Sequence, residues 1–150
     1  MPEICRNIYK NARKAKGYTQ ESAAERLGIS VESMRAYETG LRIPNTDIVK
    51  LMATIYDAPY LLMLHLEETN DLYRAVIPSV PQYSLLRASS MLASRVFAFA
   101  DSHADRRLML IAEDNVVSPE ERPEFEEIQN DLDEIVQAAL AVKIAKGGEA

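Results

Sequence analysis

Apolar residues recur at three- and four-residue steps along almost the whole chain, and no segment alternates with period two for long enough to predict a strand. The pattern predicts an all-α fold. Residues 3–16 read as a first helix ended by Gly17, which takes left-handed C-cap geometry without steric cost. Thr19 is placed to N-cap a second helix over 20–27, and Gly28 supplies a turn. Ser30 is placed to cap a third helix over 31–39, closed by Gly40. Pro44 and Asn45 lead into a fourth helix over 46–56, with Ile48, Leu51, Met52 and Ile55 expected on one face. A fifth, Leu-rich helix is expected over 59–67.

The periodicity then breaks at "TNDLYRAVIPSVP", residues 69–81, which reads as a linker because it holds two prolines and no apolar stripe. Helices resume at 84–102, with Leu85, Leu92, Val96 and Phe99 in step, and at 105–113. Ser118 and Glu121 have capping-box spacing, with Pro119 expected at the first helical position and Pro123 restarting the helix that runs to 146. From Phe125 the apolar positions 125, 128, 132, 135, 139 and 142 form a heptad-like seam. Both a self-association surface and an intramolecular core fit that seam. The expected division is a head at 1–68, a linker at 69–81 and a helical antiparallel hairpin or small bundle at 82–150.

Within the head, residues 19–39 meet three requirements of a helix-turn-helix together. Ala24 lets two helices approach closely, Gly28 turns left-handed between them, and Leu27, Ile29, Met34 and Tyr37 pin the second to the first. With "RKAKGYTQESAAERLGIS", "AYETGLRIP" and "LMATIYDAP", the chain resembles the lambda-repressor-like (Cro/repressor, XRE-type) family of DNA-binding domains from about Tyr9 to Leu62. The resemblance implies a five-helix head whose second and third helices read double-stranded DNA. It implies a phosphate contact for Gln20 and a scaffold ion pair between Arg13 and Glu38. By position the reading face is Ser30, Val31, Glu32 and Arg35, with Ala36 and Thr39 behind; Arg35 suits a guanine edge. Thr39, Arg42 and Lys50 are candidates for backbone contact, and Lys14 and Lys16 for a general field. Departures from the family pattern are Ala23, where a larger aliphatic residue is usual, and Tyr9, which is expected to fill the space.

Charge adds to this picture. The net −6 divides into +3 over residues 1–56 and −9 over 57–150, which suits a polyanion-binding head on a body that repels the polyanion. No run approaches eighteen apolar residues and "MPEICRNIYK" has no apolar signal region, so a cytoplasmic protein is expected. Cys5, the only cysteine, is expected to be a buried or half-buried thiol and excludes an internal disulfide. Two histidines, His65 and His103, are too few for a metal site, and "IAEDNVVSPEE" lacks carboxylates where a calcium loop needs them. With no phosphate loop, nucleophile elbow or His-Glu metal motif, neither an enzyme nor a cofactor is expected. The expected function is a sequence-specific transcriptional regulator, a repressor that binds paired half-sites as a homodimer. Two alternatives remain: an antitoxin whose acidic C-terminal half docks a protein partner, or an interaction module with a degenerate reading helix.

Overall fold

The computed structural model describes the backbone of residues 3–147 and the side chains of residues 8–147. Cys5 falls outside the described side chains. Among the described residues the regular structure is entirely helical. Two compact units divide the chain, the first running to Arg74 and the second spanning Ala75–Gly147.

The first unit contains α1 (Glu3–Ala15), α2 (Gln20–Leu27), α3 (Val31–Thr39), α4 (Thr46–Ile55) and α5 (Tyr60–Thr69). Hydroxyl and amide side chains start three of them, each accepting a bond from an otherwise unpaired N–H. Thr19 Oγ1 accepts from the Ser22 amide at 3.1 Å, Ser30 Oγ from Ser33 at 3.0 Å, and Asn45 Oδ1 from Ile48 at 2.9 Å. Gly28 sits at φ 66°, where the turn lets the Ile29 amide return to the Ala24 carbonyl at 3.0 Å. α1 packs on α3 and α5, α2 on α3 and α4, and α4 on α5. One core results, built on Tyr9, Ala23, Ala24, Met34, Met52 and Leu61.

Two expectations shift inside this unit. Leu51 is 46% exposed, and the buried stripe of α4 runs instead through Val49, Met52 and Ala53, with Ile48 and Ile55 packed beside it. Tyr9 is buried in the same core as Ala23, but its hydroxyl spans to α5 and meets His65 Nδ1 at 2.7 Å. The larger ring is thus held by a polar contact as well as by packing.

Part of the segment expected to be a linker is helical. α6 (Asp71–Val76) opens where Asn70 Oδ1 accepts from the Tyr73 amide at 3.1 Å, a short-range cap that apolar periodicity does not report. Tyr73 Oη donates to Met63 Sδ at 3.3 Å, and Arg74 donates to the Glu67 carbonyl, tying this turn to α5.

The second unit holds α7 (Leu85–Asp101), α8 (Ala104–Ile111) and α9 (Arg122–Ile144). α7 and α9 run antiparallel: Phe99 joins Ile128 near one end, and Arg95 meets Glu134 at 2.9 Å further along. Phe99, Leu108, Val117, Phe125 and Leu132 surround Ala104, Ile111 and Ile128. Of the expected seam of α9, Ile128 is buried, Phe125, Leu132, Ile135 and Val142 are half-buried and Ala139 is exposed; the fully buried positions further along are Ala138, Ala141 and Ile144, which lie off that seam. The proline-rich stretch docks within this unit, where Gln137 Nε2 donates to the Ser79 carbonyl at 2.6 Å and Val80 is buried.

The start of α9 also differs from expectation. Ser118 and Glu121 make the reciprocal bonds of a capping box, at 2.7–3.3 Å, but around a turn that precedes the helix. The helix begins at Arg122, with Pro123 in its first turn. A proline there loses nothing, because first-turn amides have no partner within the helix. On α7, Leu85 and Val96 were expected to face inward, yet both are exposed; Ala88 is its one fully buried residue.

Candidate nucleic-acid interface

α3 is oriented by what it buries. Met34, Tyr37 and Glu38 point into the head, while Ser30, Glu32, Arg35 and Thr39 are exposed and Ser33 and Ala36 are half-buried. Three- and four-residue spacing puts the first set on one side of the helix and leaves the second for a groove. Val31, expected on the reading face, is half-buried and packs against the core. Its side chain supports the start of α3 more than it presents to a ligand.

Beneath the face lies the Arg13–Glu38 pair. Arg13 Nε and Nη2 donate to the two Glu38 carboxylate oxygens at 2.5 and 3.0 Å, and Nη1 donates to the Tyr18 carbonyl at 2.6 Å. The side chains are only 7% and 2% exposed. The carboxylate hydrogen bond raises the Arg13 pKa above its ordinary value although burial opposes it. Nearby, burial and then the Glu38 charge raise the Tyr56 pKa, and its hydroxyl donates to Met34 Sδ at 3.9 Å. A fork-to-fork pair whose third nitrogen is also hydrogen-bonded keeps α1 and α3 in fixed register.

Gln20 links this buried pair to the surface. Its Nε2 donates to Glu38 Oε2 at 2.8 Å, and its Oε1 accepts from Arg35 Nε at 3.4 Å. Arg42 is drawn to the opposite edge of the face: its Nη2 donates to Ser33 Oγ at 2.7 Å and its guanidinium lies 5.1 Å from the Tyr37 ring centroid. Ser30 Oγ donates to the same Ser33 oxygen at 3.0 Å. Thr39 Oγ1 donates to the Arg35 carbonyl at 2.7 Å. Of the lysines expected to add field, Lys14 is exposed, Lys16 lies 3.8 Å from Asp57, and Lys50 lies 3.7 Å from Asp47.

A shallow concavity of about 290 Å³ runs between Ser30, Glu32, Ser33, Ala36, Leu41 and Arg42. Sequence reasoning places Ser33 among the base-reading positions but misses its bond to Arg42, and it misses Leu41 altogether. Ser33 is the hub that holds Arg42, and Leu41 stands 85% exposed at the rim. An apolar residue directly after the Gly40 turn, where nothing can cover it, was the available signal for Leu41.

Two capped helices joined by a left-handed glycine, with the second exposing its N-terminal polar face, define a helix-turn-helix domain. The family described as "Helix-turn-helix" matches residues 10–61. The chain is similar to the HTH-type transcriptional regulator ImmR of Bacillus subtilis (strain 168), 40% identical over 48 residues, 32% of this chain and 38% of that protein. It is also similar to the uncharacterized HTH-type transcriptional regulator YazB of the same organism, 46% identical over 43 residues, 29% of this chain and 62% of that protein. The chain thus spans about two fifths of the length of one of these relatives and about three fifths of the other. No solved structure matches the chain at a comparable level. Among the described residues no helix is long and apolar enough to cross a membrane.

Proposed function

We propose that this chain is a DNA-binding transcriptional regulator that inserts α3 into the major groove and acts as a repressor by occupying an operator of paired half-sites. The observation that carries the reading is the outward row Ser30, Glu32, Arg35 and Thr39 on a helix pinned from behind by Met34, Tyr37 and the Arg13–Glu38 pair. Arg35 reaches a guanine edge by its guanidinium fork, and Gln20 and Arg42, flanking it, hold the sugar-phosphate backbone. Glu32 accepts from a cytosine amino group, and its charge selects against phosphate placed wrongly beside it. The resemblance to HTH-type regulators and the +3 charge of the first 56 residues support the same reading.

One head has few cationic contacts, so two copies spaced about 34 Å apart, one turn of DNA, supply the affinity that one lacks. Selection of bound fragments from a random DNA pool tests the reading. Wild type is expected to enrich a two-fold motif, with binding that weakens steeply as salt rises. Enrichment of nothing at low salt overturns it.

A further inference from the structure

We infer that the outward face of α7 is where two copies of this chain pair, antiparallel, about a two-fold axis near Ala93. The inference rests on the reading above only in that pairing delivers two heads. On α7 the residues Leu86, Ser90, Ala93, Phe97 and Ala100 follow steps of four, three, four and three, and every one is exposed. Leu86 is 79% and Phe97 68% exposed. The opposite face, through Ala88, already packs in the unit, and Phe99 joins the α8–α9 cluster. Steps of this kind align one straight stripe along a helix, the geometry that a second helix covers.

A second copy fits this stripe for two reasons. A two-fold interface sets residue i against j and j against i. About Ala93, an antiparallel copy sets Leu86 over Ala100 and Phe97 over Ser89 and Ser90, large against small at both ends. Charge agrees with shape. Arg87 and Asp101 are both exposed and fall on the same flank of the stripe, four turns apart. In an antiparallel two-fold pair each flank meets itself, so Arg87 of each copy lies beside Asp101 of the other. The outer face of α9 lacks this balance: Glu126, Glu127 and Asp133 are exposed there and repel their own image.

Sedimentation of the full chain across a concentration series tests the inference. Wild type is expected at twice the monomer mass, and Phe97→Glu and Leu86→Glu each at the monomer mass with helical circular dichroism retained. Arg87→Glu alone and Asp101→Arg alone are each expected to weaken pairing roughly tenfold, two rim contacts being turned repulsive per dimer. The double variant R87E/D101R is expected to restore it. A monomeric wild type, a dimer indifferent to both Glu substitutions, or a charge swap that fails to restore pairing overturns the inference. A dimer that enriches no DNA motif sinks the DNA reading and leaves the pairing standing; a monomer that enriches one does the reverse.

Discussion

The two units solve the same problem, burying helices, to very different degrees. In the head, α2, α3 and α4 each bury at least three residues, and α5 buries Leu61 and His65. In the rear unit α7 runs seventeen residues and fully buries only Ala88. The head closes around one core with a paired charge inside it, whereas the rear closes one side of a hairpin and leaves nearly all of α7 at least partly exposed. A unit that satisfies itself is suited to present a rigid surface. A unit that does not is suited to meet something else.

The largest effect should come from breaking the head where it is most closed. Glu38→Ala strands a buried guanidinium and is expected to cost about 3–5 kcal/mol, read by thermal denaturation. A loss below about 1 kcal/mol would mean that water reaches the pair and that the head is no tighter than the rear. Arg35→Ala should leave the melting temperature unchanged and weaken binding to the selected site by about 1–3 kcal/mol, seen by fluorescence anisotropy. Equal weakening on all DNA would reassign Arg35 to the backbone. Gly28→Ala meets open space at its new Cβ, so its whole cost is the φ of 66°, about 1–2 kcal/mol of head stability.

A smaller effect follows pH. Burial holds the His65 pKa below its usual 6.5, so the fold favours the neutral imidazole beside Tyr9. As pH falls below 6.5 the unfolded chain takes up a proton before the folded one, and stability declines; above 6.5 this contribution is complete. His65→Gln should flatten the fall in melting temperature on acidification, and an unchanged slope would place the titrating group elsewhere. Smallest of all, Arg95→Ala removes a half-exposed ion pair of the rear unit and should cost under about 1 kcal/mol in the same melts. A larger loss would show the rear to be closed more tightly than its burial implies.

Legibility in the sequence also differs between the units. The head's helices and caps follow from local chemistry: Thr19, Ser30 and Asn45 cap, and Gly28 turns, because each acts within a few residues of itself. Arg13 and Glu38 became readable through the family resemblance, and the structure brings them together. The Ser33–Arg42 contact and the Asn70 cap did not show, since neither leaves a mark on apolar periodicity. In the rear unit the seam of α9 was visible only in part: Ile128 is buried as the seam places it, but further along the buried positions are Ala138, Ala141 and Ile144. Periodicity tells which face is apolar, and only the fold tells which neighbour covers it. That is why Leu85 and Val96, in step with Leu92 and Phe99, still ended outside.

Gln20 carries a consequence of another kind. Its amide is held at one end by the buried carboxylate and at the other by Arg35, so its rotamer is set before any ligand arrives. Freezing a free glutamine on binding costs conformational entropy, and here much of that loss is met during folding. The same tether ties the two contacts together. A change at Glu38 that left the head folded is expected to slacken Gln20 and, through it, Arg35, so the proposed selectivity for DNA sites shifts with no substitution on the exposed face of α3.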